Sequence, residues 1–254
     1  MENTSLTEKQ SFSVALSTKL DSVSNALPKD FNKARFTQNA ISLLNDNPAL
    51  AKYSQAQIIA GLLKGAYLGL DFYSKECYLI PYGNALNYQT DYRGEKKLAK
   101  KYSIRPIRDI YAEIVRAGDD FSIGVKDNER VINFNPRPFS NEKIIGAFAV
   151  VEYLDGGIGT EMMSLEELEN TRKKSKASNS MAWKDFTSEM YKKTVLRRLC
   201  KHIEIDFENP IQRNIYSSEM EIETDPAEIS EREIAENANK EELVLNVETG
   251  EVEA

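Results

Sequence analysis

An α+β fold is expected for this chain, with helices at both ends around a central antiparallel sheet. Apolar residues recur at helical spacing before residue 70, run as short strand-like segments from Glu76 to Tyr153, and return to helical spacing beyond Ser164. With 254 residues, 41% of them apolar, the chain can bury a sizeable core over residues 1–210.

The helices come first. Phe12, Leu16, Leu20, Val23 and Leu27 define one apolar stripe, which Pro28 closes. A second helix runs through Phe36, Ala40 and Leu44 and ends at Asn47-Pro48. Ser54 and Gln57 have the spacing of a capping box, opening a third helix to Leu70 with Ile58, Leu62 and Leu63 on its apolar face. Gly61, Gly65 and Gly69 stand four apart on that helix, which predicts close packing against it.

Strand signals follow. Cys77–Tyr82 and Leu86–Thr90 are expected to pair around Gly83-Asn84, with Pro81 at an edge or bulge. After a short basic helix over Arg93–Tyr102, strands are expected at Ile107–Val115, Phe121–Val125, Val131–Phe134 and Ile144–Tyr153, separated by turns at 118–120 and 155–157. Ser164 and Glu167 cap a further helix. A polar loop over Lys173–Ser180 leads into a long helix from Trp183 to Ile203, with Trp183, Phe186, Met190, Leu196, Leu199 and Ile203 facing the core.

Charge is distributed unevenly. The chain carries 33 basic and 40 acidic residues, yet residues 203–254 hold sixteen acids against three bases, leaving a basic body of net +6 before an acidic tail of net −13. Between Arg172 and Lys201 ten basic residues face only Asp185 and Glu189. Lys193, Arg197 and Lys201 lie four apart, so they form a helical ridge with steps of about 6 Å, flanked by Lys192 and Arg198. A second basic cluster contains Arg93, Lys96, Lys97, Lys100, Lys101, Arg105 and Arg108. Seven of the twelve tyrosines fall between Tyr67 and Tyr102. Cations interleaved with aromatic faces suit a single-stranded nucleic acid, whose backbone is tracked by charge and whose bases stack without regard to sequence. Beside turn glycines, Tyr82 and Tyr92 are the aromatic candidates for contact, with Lys97 and Lys101 among the cations. The competing structural reading makes most of the tyrosines core residues and the basic runs solvated helix faces.

Signals for catalysis are sparse, and no enzymatic activity is expected. His202 is the sole histidine, with no nucleophile motif near it in sequence, and no phosphate loop with its lysine is present. Asp71, Glu95 and Lys97 superficially match the acid, acid-x-lysine pattern of a metal-dependent nuclease, which stands as the alternative reading. No cofactor is expected; ATP has no binding motif, and the sequence is silent on magnesium. Cys77 and Cys200 lie in apolar surroundings of opposite halves, which predicts reduced thiols and, with no apolar run near 20 residues, a cytoplasmic protein. Residues 211–254 are expected to form an acidic, disordered tail, with a transient helix over Pro226–Leu243.

Two motifs narrow the reading. Cys77-Tyr78-Leu79-Ile80-Pro81-Tyr82-Gly83, followed by Tyr88-Gln89 and Tyr92-Arg93-Gly94, resembles the hallmark of the RecT family of phage single-strand annealing proteins. Trp183, Asp185, Met190 and Lys192-Lys193-Thr194-Val195-Leu196-Arg197-Arg198-Leu199 resemble that family's second signature. The resemblance covers roughly Ala26–His202. It implies ATP-independent annealing of complementary strands in recombination, homo-oligomeric rings or helical filaments on DNA, and a partner exonuclease. It further implies that Gln89, Arg93, Lys192, Lys193, Arg197 and Arg198 line a basic DNA groove. On this reading residues 1–30 are an N-terminal helical segment and candidate oligomer contact, 31–210 the DNA-binding and annealing core, and 211–254 the acidic tail. That tail either solubilises the basic body or docks a partner such as an exonuclease or a host single-strand-binding protein. A passive single-strand-binding protein is the third reading.

Overall fold

The computed structural model describes residues 2–82, 84–126, 129–175, 178, 181–221, 244–245 and 252–253. The fold is α+β, and every strand pairing is antiparallel. Its contacts divide the chain into two units, Met1–Tyr216 and Ser217–Ala254. In the second unit Val244–Leu245 pairs with Val252–Glu253. The helix expected over Pro226–Leu243 lies outside the described residues. No helix among the described residues is long and apolar enough to cross a membrane.

Three helices and a hairpin build the first core. Helices α1 (Glu2–Ser22), α2 (Lys33–Asp46) and α3 (Gln55–Leu68) pack with strands β1 (Cys77–Tyr82) and β2 (Ala85–Thr90). Leu16, Leu20 and Leu62 are fully buried, each contributing about 1.5–3 kcal/mol by leaving water. The apolar stripe of α1 is thus consumed within the chain, and Val14 on its outer side stays exposed. Asn32 caps α2 by accepting from the Arg35 amide, and the expected capping box of Ser54 and Gln57 opens α3. Gly69 ends α3 with φ of +68°, a conformation that glycine adopts without strain. The glycine stripe on α3 admits side chains: Leu79 fills the space over Gly61, and Phe72 the space over Gly65.

Helix α4 (Tyr92–Tyr102) follows the hairpin directly, its start capped by Asp91. Gly94 sits where an added Cβ would collide with the Glu76 carbonyl oxygen and crowd Thr90 and Leu70. Gly94→Ala is therefore expected to cost about 1–3 kcal/mol by overpacking, read from the urea midpoint of unfolding. An unchanged midpoint would show that the α4 start can shift away from the hairpin freely.

The second core lies on a three-stranded sheet ordered β3 (Ile107–Arg116), β6 (Ile144–Tyr153), β7 (Ile158–Ser164). Along β6 the faces alternate as the pleat requires. Ala147, Ala149 and Val151 face helices α5 (Leu165–Lys174), α6 (Met181–Asp185) and α7 (Thr187–Lys201), whereas Phe148 and Val150 face a separate hairpin of β4 (Asp120–Lys126) and β5 (Glu129–Asn135). Phe148 meets Phe121 and Phe134 there, both at ring-centroid distances of 5.0 Å. The strands are thus divided among separate antiparallel sheets instead of forming one.

Three local expectations need correction. The helix expected from Trp183 to Ile203 is broken at Phe186, which leaves helical geometry and stands 62% exposed instead of facing the core. Tyr191, Val195 and Cys200 take the core positions beside Leu196 and Leu199. Strand β7 was not anticipated, because Gly159 and the adjacent Met162 and Met163 break the alternation of apolar and polar residues. Helix α8 (Pro210–Glu221) was also unanticipated, although Asn209 accepts from the Gln212 amide ahead of a first-turn proline, a recognisable start signal. Cys77 and Cys200 are both free and buried, in different clusters, and burial pushes both thiols up in pKa.

Candidate nucleic-acid interface

Helices α4 and α7, about a hundred residues apart in sequence, are joined by ion pairs. Lys193 Nζ donates to Asp91 Oδ2 at 2.7 Å, and Arg197 Nε donates to Glu95 Oε1 at 2.9 Å. Asp91 and Glu95 lie one turn apart on one flank of α4, as Lys193 and Arg197 do on α7, so the two pairs form successive rungs. The inner rung is the drier one: side-chain exposure is 12% for Arg197 and 1% for Glu95. The outer rung opens towards solvent at Lys193, where Asp91 also caps α4 by accepting from the Arg93 amide.

Beyond that outer rung lies an aromatic and cationic platform. The Tyr92 ring has the Lys193 ammonium 5.8 Å and the Arg93 guanidinium 5.7 Å from its centroid, and Arg93 Nε donates to Tyr92 Oη at 3.4 Å. That hydrogen bond raises the Arg93 pKa further. Arg93 itself is exposed, and among the described residues it makes no ion pair with a carboxylate. Tyr78, 36% exposed, pairs in register with Gln89 on the adjoining hairpin. Burial, then the Asp91 carboxylate, pushes the Tyr78 phenol up in pKa, so the ring stays neutral beside the cations. Tyr78, Gln89, Tyr92, Arg93 and Lys193 thus occupy the hairpin, the α4 start and the facing side of α7. Tyr78 was not singled out from the sequence; its position inside the first motif, one strand-pair across from Gln89, was the available signal.

The remaining cations go elsewhere. Lys192 turns to Glu189 at 3.2 Å and to Glu113 on β3 at 3.8 Å, while Arg198 pairs with Glu161 on β7 at 2.7 Å and Glu167 on α5 at 3.3 Å. Lys201 is half-buried at the last turn of α7. The flanking cations therefore part from the expected ridge: Lys193 and Arg197 face α4, and Lys192 and Arg198 lean on the sheet side. On α4, Lys97 donates to Glu76 at 2.7 Å and to the Gly69 carbonyl at 2.9 Å, and Lys101 pairs with Asp30 at 2.6 Å. Tyr82 belongs to β1 by its backbone; its side chain lies outside the described residues. The local shortage of acids near these cations is made good by carboxylates from distant segments, which sequence proximity does not reveal.

The nuclease-like triad is not assembled. Glu95 points to α7 and Arg197, whereas Lys97 points away from α7 to Glu76 and Gly69. Asp71 is held by Asn39 Nδ2 at 2.7 Å and by the Tyr73 and Ser74 amides. Among the described residues no three His, Cys, Asp or Glu side chains form a group that could hold a metal ion. His202 is exposed, 3.8 Å from Glu161.

Comparison with known proteins agrees with the two motifs. The RecT family pattern matches residues 34–234, which include both motifs. Protein RecT of Escherichia coli strain K12 is 33% identical over 218 residues, covering 81% of this chain and 78% of that protein. The chain belongs to the RecT family.

Proposed function

We propose that this protein binds single-stranded DNA across the Tyr78–Tyr92–Arg93–Lys193 platform and anneals complementary strands without ATP. Family membership supports single-strand annealing and recombination in general. The observation that carries the finer reading is Arg93: an exposed guanidinium with no carboxylate partner among the described residues, beside the half-buried Tyr92 ring and near the exposed Tyr78 ring. Annealing requires that sugar and phosphate be gripped while base edges stay open to a second strand. A shallow platform of cations and ring faces meets that requirement, because stacking uses the base face and leaves its pairing edge free.

The split of the nuclease-like triad supports a non-enzymatic role. Side-by-side protomers would let one strand gather many weak contacts, so a head-to-tail oligomer, as a ring or an open helix, belongs to this proposal. Since α1 spends the stripe of Phe12, Leu16 and Leu20 inside the chain, its outer side around the exposed Val14 is the candidate contact for a neighbouring protomer.

The decisive experiment is pairing of complementary oligonucleotides with and without protein in the absence of ATP. Acceleration is expected; a protein that coats strands yet slows their pairing would be a passive binder. Arg93→Ala should weaken binding to all sequences alike and reduce the salt slope of log K by about 0.7, the loss of one single-strand phosphate contact. An unchanged slope would remove Arg93 from the interface.

A further inference from the structure

A second cationic feature lies at the other end of α4. Arg93, Lys97 and Lys101 are four apart, so they step along one side of the helix by about 6 Å each, away from the Tyr92 platform. The row ends at a cavity of about 100 Å³ between the start of α2 and the last turns of α4, lined by Asn32, Arg35, Lys97 and Lys101 together with Asp30 and Asp71.

The acids there leave room for an anion. Asp71 already accepts from Asn39 and two backbone amides. Asp30 is bound to Lys101 but its side chain is 75% exposed. Exposed pairs of that kind are worth about 0–1 kcal/mol, so an incoming phosphate can take the place of Asp30 on Lys101 at little cost. Lys97 uses two of its three N–H donors on Glu76 and Gly69, leaving one. Arg35 is exposed at the rim and makes no ion pair among the described residues, so its planar fork of donors, suited to phosphate, is uncommitted.

We propose that this cavity is a second phosphate subsite, in which Arg35, Lys97 and Lys101 hold a phosphodiester of the strand that crosses Tyr92 and Arg93. The inference rests on the proposed single-strand binding. Because Arg93 and Lys101 are eight residues apart, the strand would follow α4 for about 12 Å between the two sites. Phosphate at this position has two sources, an internal phosphodiester or a 5′-terminal phosphate, and the assignment is to the former.

The test is the salt dependence of binding to a thymidine oligonucleotide about 16 nucleotides long, with and without a 5′-phosphate, for wild type, Arg35→Ala, Arg35→Lys and Arg93→Ala. Arg35→Ala should lower the slope by about 0.7 on both oligonucleotides, and Arg35→Lys should restore most of it. Since Arg35 is exposed, its thermal midpoint should match wild type. A slope equal to wild type on both oligonucleotides overturns the subsite, as does a decrease confined to the 5′-phosphorylated one. If Arg93→Ala lowers the slope while Arg35→Ala does not, only the subsite fails. If wild type binds neither oligonucleotide, the single-strand reading fails with it.

Discussion

Replacing Arg197 with alanine is expected to destabilise the protein by about 3–5 kcal/mol, a large share of the stability of a typical domain. The cause is the carboxylate left behind. Glu95 has 1% of its side chain exposed, and Arg197 supplies a charged hydrogen bond at 2.9 Å across the α4–α7 contact. Removing the guanidinium strands a buried negative charge that water cannot reach. The effect is read from urea unfolding of the purified variant. The double variant Glu95→Leu with Arg197→Met should recover most of the loss, because replacing both ions by apolar groups of similar volume removes the desolvation penalty together with the pair. If Arg197→Ala unfolds within about 0.5 kcal/mol of wild type, the pair is not a structural pin. The same experiment bears on function: weakened DNA binding by Arg197→Ala cannot be assigned to a lost phosphate contact until its folding is measured. Arg93, exposed and without a carboxylate partner among the described residues, has no such ambiguity.

Tyr78→Ala is expected to weaken single-strand binding by about 1–3 kcal/mol, roughly 5- to 150-fold, the cost of one lost base stack. Fluorescence anisotropy with a labelled single strand at fixed salt measures it. Tyr78→Phe should retain most of the affinity, since stacking needs the ring and not the hydroxyl. Both variants should keep a near-normal unfolding midpoint, because the ring is partly exposed on a two-stranded hairpin. Tyr88, on the same hairpin, is the contrasting case: it is 3% exposed and packs against Phe72 at 6.1 Å, so its loss would act through stability. Equal affinity for Tyr78→Ala and wild type would take Tyr78 out of the interface.

Much of the architecture could be read locally. The capping boxes at Ser54 and Ser164 and the hairpin around residues 83–84 all depend on neighbours in sequence, so short-range patterns report them well. The failures share a cause. Strand β7 has Gly159 near its start and adjacent Met162 and Met163, so it shows no clean alternation, and its assignment comes from pairing with β6. The break at Phe186 is equally invisible, because a phenylalanine at helical spacing reads as core until the chain around it bends. Of the expected contact residues, Gln89, Tyr92, Arg93 and Lys193 come to one face, and Lys192 and Arg198 do not, since each follows a carboxylate on a different element.

By itself the sequence determined the α+β class, the order of most elements, the family, and the residue types available for gripping a strand. Which cations remain available was decided only by the tertiary structure. Charge density along a chain is a local property, whereas neutralisation depends on carboxylates brought in from remote segments: Asp91 reaches Lys193, and Glu95 reaches Arg197, across 102 positions each. Folding spends Arg197 on holding two helices together and leaves Arg93 facing solvent, because burial makes a charge costly unless it is paired and exposure does not.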